Sequence, residues 1–192
     1  MARERLGSPR ARLFVALELP PEVVEATAAW AREAFGRVDE LRLLRPEALH
    51  VTLVFLGYQA ERDIERIAEL ALGEGGAAFE LAAAGAVPVP RSRPRLYALG
   101  LEDESGALGR RQAGMSERLA AARLYEPEKR PFWAHVTLAR AKRGAKVPRG
   151  LEAPGLPVEL RQPFQAGRVT LFRSTLKPSG AVYDALASVE VG

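Results

Sequence analysis

His50-Val51-Thr52-Leu53 and His135-Val136-Thr137-Leu138 are the same four-residue word, and each opens with one of the only two histidines in the chain. At ordinary residue frequencies, agreement in all three following residues has a chance on the order of 10⁻⁴. Valine, threonine and leucine suit strands, whose side chains alternate between faces with period two. His50 and Thr52 then share one face, opposite Val51, Leu53 and Phe55; His135 and Thr137 likewise oppose Val136 and Leu138. Each word reads as a strand with an apolar side for a core and a polar side bearing one imidazole and one hydroxyl. Two such strands with their polar sides together gather two imidazoles and two hydroxyls into one cleft, a set suited to acid–base chemistry on a phosphate.

Outward from the words, the chain repeats itself. Arg12-Leu13-Phe14 stands 38 residues before His50, and Arg95-Leu96-Tyr97 stands 40 before His135. Between each pair the pattern is strand, then helix, then word. In the first interval, Arg12 to Leu19 reads as a buried strand ended by Pro20-Pro21. Pro21 and Glu22 suit a first helical turn, and Val23, Val24, Ala28, Ala31 and Phe35 recur at helical spacing up to Gly36. Arg42 to Arg45 reads as a short strand, and a second amphipathic helix covers about 61–72. In the second interval, 78–87 and 95–101 read as strands separated by a proline-rich loop at 87–94. A helix over about 105–122 then carries Leu108, Gln112, Met115 and Leu119 in register. Basic, proline-rich sequence fills 140–163, and the end reads as a hairpin over 168–191 with a longish turn. The repeat is too long for a solenoid. It predicts a duplicated strand–helix–strand lobe with approximate two-fold symmetry, its axis passing between the two words.

Composition narrows the chemistry. The chain has 192 residues and no cysteine, which excludes disulfides, thiolate metal sites and cysteine nucleophiles. The opening residues lack the continuous apolar core of a signal peptide, and no stretch approaches the ~20 apolar residues of a membrane span. These features predict a cytoplasmic protein. A net charge of +4 favours anionic partners. Arg91, Arg93, Arg95, Arg130, Lys142 and Arg143 read singly as solvated surface and together as an attraction for RNA.

With ordinary pKa values near 6.5, one imidazole takes a proton while the other gives one. Thr52 and Thr137 donate to phosphate oxygens, and Arg140 is the candidate for a guanidinium on the phosphate. Plain alternation puts Arg140 on the face opposite His135, so the strand must end or twist there. Trp133 shares the parity of His135 and is a candidate base-stacking ring; core packing is its rival, and the simpler reading of Phe132 and Phe55. Zinc catalysis wants three or four protein ligands at defined spacing, and neither histidine has a carboxylate at that spacing. No serine sits in a Gly-x-Ser-x-Gly setting, and Gly73-Glu74-Gly75-Gly76 lacks the Lys-Ser/Thr ending of a phosphate loop. A lone strand histidine is usually a hydrogen-bonded structural residue; a matched pair, each with threonine at the same offset, favours function.

The paired His-x-Thr-x words resemble those of the two-histidine (2H) phosphoesterases. The wider context resembles their RNA 2′,3′-cyclic phosphodiesterase branch, also called the 2′-5′ RNA ligase group. The residues that carry this are Arg12 to Leu17, Leu49 to Gly57, Pro131-Phe132, His135 to Arg140, and Ser174 to Tyr183. The resemblance implies a bilobal, duplicated α+β fold: two antiparallel sheets about a pseudo-two-fold axis, a central cleft, and helices outside. The first repeat would span about 12–75, the second about 78–145, and the hairpin about 168–191, all within one domain of 1–192. It implies a cofactor-free and metal-free hydrolase that opens a terminal 2′,3′-cyclic phosphate to a 2′-phosphate, with a slow reverse 2′-5′ ligation of tRNA halves. His50 would protonate the departing 3′ oxygen and His135 would activate water. Thr52, Thr137 and Arg140 would hold the phosphate, and Phe55 and Trp133 would border the nucleoside. Relatives often carry proline immediately before the second histidine, where Ala134 stands here, so the local nucleoside pocket departs from the pattern. The expected partner is RNA with a cyclic-phosphate end, met by a monomer with no membrane attachment. The alternatives are a 2H enzyme for small cyclic nucleotides or 2′-5′ oligonucleotides, and a non-catalytic binder of RNA ends.

Overall fold

The computed structural model describes residues 9–73, 75–148, 150–178 and 180–192. The basic start at 1–8, expected to be frayed, lies outside the described residues. In chain order the elements are β1 (Arg10–Glu18), α1 (Pro21–Phe35), β2 (Leu41–Leu43), β3 (His50–Ala60), α2 (Ile64–Leu72), β4 (Phe79–Val89) and β5 (Leu96–Glu102). They continue with α3 (Ala107–Ala121), β6 (His135–Ala141), α4 (Val158–Arg161), β7 (Phe164–Ala166), β8 (Arg168–Lys177) and β9 (Gly180–Glu190).

The two words open β3 and β6, and those strands lie side by side. The sheet order is β7-β4-β5-β6-β3-β1-β8-β9, with β2 also on β6, and every pairing is antiparallel. The expected two sheets are its two arms, β3-β1-β8-β9 and β6-β5-β4-β7, which join at one residue pair, Val51 and Val136. β3 matches β6 across that pair, β1 matches β5, and α1 matches α3 at 15 residues each. The helices cross over: α1 packs on β6 of the other half and on β2, which pairs with β6, while α3 packs on β3. Neither half therefore closes its core alone.

The core lies between the helices and one face of the sheet. Leu13, Val15 and Leu17 of β1, with Val51, Leu53, Val136 and Leu138 of the words, meet Phe35 of α1, Ile67 of α2, and Leu108, Met115 and Leu119 of α3. Burying each of these large side chains contributes about 1.5–3 kcal/mol. Because the apolar residues of both words face this layer, their polar partners are left on the open, concave face.

Two irregularities in the strands decide what else reaches that face. In β3, Thr52 pairs with Ala16 and Val54 with Val15, leaving Leu53 unopposed. In β6, Thr137 pairs with Ala98 and Ala139 with Tyr97, leaving Leu138 unopposed. Each is a β-bulge, one extra residue that shifts the later side chains to the other face. The bulges occupy the same place in each word. The carbonyl of Leu53 accepts from Gln112 Nε2 at 3.3 Å, and that of Leu138 from the Leu44 amide at 2.8 Å, so each irregular carbonyl has a donor.

The register also corrects the repeat. Ala16 and Ala98 are the matching residues, opposite Thr52 and Thr137, so Phe14 corresponds to Leu96 and Arg12 to Pro94. Matching Arg12-Leu13-Phe14 with Arg95-Leu96-Tyr97 is one residue out, and one residue exchanges the two faces of a strand. Tyr97 is buried against Phe35 at 4.6 Å between ring centroids, whereas Phe14 lies under His50.

Other boundaries differ from expectation. The expected strand over 42–45 is Leu41–Leu43, paired with β6. β4 runs on through Pro88 to Val89, into the stretch expected to be a loop. There β4 pairs only with β5, having left β7 after Leu81, so no second ladder needs the N–H that proline lacks. The proline-rich segment contains α4, whose Leu160 is buried. Lys177 pairs with Gly180 where the sequence predicts a longish turn. Among the described residues, no helix is long and apolar enough to cross a membrane.

Candidate active site

The concave face gathers side chains from both arms. His50, Thr52, Thr137 and Arg140 line one small polar hollow of about 100 Å³, together with Arg12, Phe14, Phe55 and Tyr183. A larger hollow of about 710 Å³ adjoins it, sharing Thr52, Phe55 and Arg140, and carries His135 and Trp133 on its wall. The first is sized for a phosphoryl group; the second falls in the range of small-molecule sites.

Each histidine is held by the backbone two residues before it. The His135 Nδ1–H donates to the Trp133 carbonyl at 2.8 Å, and the His50 ring bonds to the Ala48 carbonyl. At His135 this bond fixes the Nδ1–H tautomer and leaves Nε2 as the reactive nitrogen; at His50, Nε2 faces Thr52. At His50 the Thr52 hydroxyl lies 3.1 Å from Nε2, the first hydrogen-bond partner that a phosphate oxygen would replace.

The surroundings of the two rings differ. His50 has the ring of Phe14 beneath it, with centroids 4.9 Å apart, and the edge of Tyr183 at 5.4 Å. Burial pushes its pKa down to about 4; the Ala48 bond opposes this, while the Arg140 and His135 charges add to it. In the substrate-free protein at neutral pH, His50 is a neutral imidazole. His135 instead carries the Trp133 indole stacked on it, with centroids 4.4 Å apart and planes 14° from parallel. Gly100, paired with His135 across the sheet, lies against that indole: a Cβ there would touch it at 3.6 Å, an ordinary contact.

The bulges answer what alternation leaves open. Arg140 does not lie opposite His135, because the extra residue Leu138 returns it to the cleft. By the same means Phe55, read by parity as a core residue, is 40% exposed and lines both hollows. Trp133 is on the cleft wall, and Phe132 lies half-buried beside it. Arg12, Phe14, Tyr183 and Gln112 were missed as site residues. Alternation along β1 marks the first two, since Arg12 and Phe14 oppose Leu13, Val15 and Leu17. Tyr183 comes from the hairpin, and nothing local points it at His50. Among the described residues, no group of three or more His, Asp or Glu side chains stands together as metal ligands would.

Fold and site define a phosphoesterase, and comparison with known proteins agrees. Residues 17–96 match the family model described as LigT like phosphoesterase. An RNA 2′,3′-cyclic phosphodiesterase of Thermus thermophilus is 36% identical over 188 residues, covering 91% of this chain and 87% of that protein. One from Archaeoglobus fulgidus is 34% identical over 136 residues, covering 69% and 73% respectively. The crystal structure of apo LigT from E. coli superposes with a TM-score of 0.79 at 25% identity, covering 96% of this chain and 99% of that one. The chain belongs to the LigT-like phosphoesterases of the 2H superfamily. It is a cyclic phosphodiesterase, a hydrolase acting on phosphodiester bonds.

Proposed function

We propose that the protein hydrolyses the terminal 2′,3′-cyclic phosphate of RNA to a 2′-phosphate by two-histidine acid–base catalysis. The observation that carries this is the convergence of both words on adjoining hollows. The name shared by the Thermus and Archaeoglobus relatives supports RNA as the substrate. So does the larger hollow, where Phe55, Tyr125, Phe132 and Trp133 offer rings to a base and Arg130 offers charge to the strand.

In this reading the cyclic phosphate sits in the small hollow, held by Thr52, Thr137 and Arg140. A water oxygen bonds to phosphorus in line with the 3′ oxygen, and the P–O3′ bond breaks. One histidine takes the proton from water, and the other gives a proton to O3′. The resemblance casts His50 as the acid and His135 as the base. Two observations favour the reverse. The neutral His50 is ready to accept a proton. The leaving oxygen belongs to the ribose, which fits the larger hollow on the His135 side. A 5′-hydroxyl in place of water would give a 2′-5′ linkage by the same exchange of protons.

The test is to incubate the protein with RNA ending in a 2′,3′-cyclic phosphate, with EDTA present, and identify the product end. A 2′-phosphate is expected. A 3′-phosphate product, or turnover that disappears with chelation, overturns the mechanism. Turnover of nucleoside 2′,3′-cyclic phosphates with none of RNA moves the substrate to the small-nucleotide alternative.

A further inference from the structure

The two words supply two histidines and two threonines, but residue five past each histidine breaks the symmetry: Phe55 in β3, Arg140 in β6. The bulges bring both to the cleft. On the first side the missing cation comes from another strand. Arg12 of β1 lays its guanidinium carbon 4.6 Å from the centroid of the Phe55 ring. Its Nη1 donates to Ser174 Oγ at 2.7 Å, which fixes the fork over the ring. Arg12 and Arg140 both line the 100 Å³ hollow, and among the described residues neither takes part in an ion pair. The residue matching Arg12 in the second half is Pro94, which has no charge to offer.

We infer that Arg12 is a catalytic residue, the first half's functional substitute for a second Arg140, and that its guanidinium binds the reacting phosphoryl group. The inference rests on the cyclic phosphodiesterase reading and extends it. A cyclic phosphate carries one negative charge, which Arg140 balances. When the water oxygen has bonded to phosphorus and its proton has gone to the base, the phosphorane carries two. The 2′-phosphate monoester also approaches two near neutral pH, its second pKa being about 6. The second charge appears only along the reaction path, so a second cation on the same group stabilises transition state and product more than substrate.

The experiment compares Arg12→Met with the parent on two substrates, an RNA ending in 2′,3′-cyclic phosphate and cytidine 2′,3′-cyclic phosphate. Methionine keeps an apolar stem on Phe55 and removes the charge. We expect kcat to fall about 10²-fold or more on both substrates with little change in KM, and inhibition by cytidine 2′-phosphate to weaken. Arg12→Lys, which keeps charge without the planar fork, should recover part of the loss; it carries the test if the methionine variant fails to fold. A loss confined to RNA overturns the inference, because Arg12 would then grip a phosphate further along the strand. Unchanged kcat in a folded methionine variant also overturns it. A parent protein inactive on both substrates removes the underlying reading instead, an outcome distinct from either.

Discussion

The halves around His50 and His135 share a scaffold and differ in their linings. Both have the same word, a bulge at the same residue, and a carbonyl two residues upstream holding the ring. Around His50, Phe14 and Tyr183 close in and depress basicity to about 4. Around His135, Glu18 of the first half is replaced by Gly100, and an indole stacks on the ring. Duplication gives the two rings the same backbone setting. Divergence of the packing buries His50 and lowers its affinity for the proton.

The strongest way to break the comparison is to remove one histidine at a time. His50→Ala and His135→Ala should each lose about 10²–10⁴-fold in kcat/KM with folding intact. Without His135, the residual activity should rise with pH through the His50 pKa near 4, as the proposed base role of His50 requires. Residual activity that falls through that pH would return the acid role to His50.

Arg140→Met asks whether the second half's cation holds the phosphate, with an expected fall in activity of about 10²–10³-fold. Its loss also relieves the charge that lowers His50, so the His50 pKa should rise. With only two histidines in the chain, NMR titration of the imidazole signals reads this directly. A fall in activity with no movement of His50 would separate the two arginine effects.

Tyr183→Ala sharpens the contrast in burial. It opens one side of His50 to water, so the pKa should climb from about 4 toward 6.5. The acid limb of kcat/KM should move up with it. No movement would mean that Phe14 alone seals the ring.

The smallest effect is on stability. The unfolded chain protonates His50 near 6.5 and the folded chain near 4, so between these values the unfolded state binds more protons. This contribution is fully present above pH 6.5 and is lost as pH falls toward 4. Urea unfolding at pH 7 and pH 5 should show a smaller decline in His50→Ala than in the parent; an equal decline would trace it to other groups.

The words themselves were legible in the sequence because alternation is local: successive strand side chains point to opposite faces whatever the strand pairs with. That placed Val51 and Leu53 toward a core and His50 and Thr52 away from it, with no knowledge of neighbours. The duplication followed from the same residues, and the α+β fold from the family resemblance they carry. Helix positions followed from helical spacing, as with Leu108, Met115 and Leu119 on α3. The bulges were not legible, because an unopposed Leu53 exists only relative to the strand beside it and is stabilised by Gln112, a residue far along the chain. Alternation therefore misplaced Phe55 and left Arg140 unexplained. The offset of the repeat failed for a related reason, since Arg-Leu-Phe and Arg-Leu-Tyr look alike but pair one residue apart. The sequence by itself determined which polar groups the two words present and which face of each strand carries them. Only tertiary structure decided that Arg12 meets Phe55, that Tyr183 closes on His50, and that Trp133 stacks on His135. Those contacts depend on pairing across strands, which no local pattern encodes.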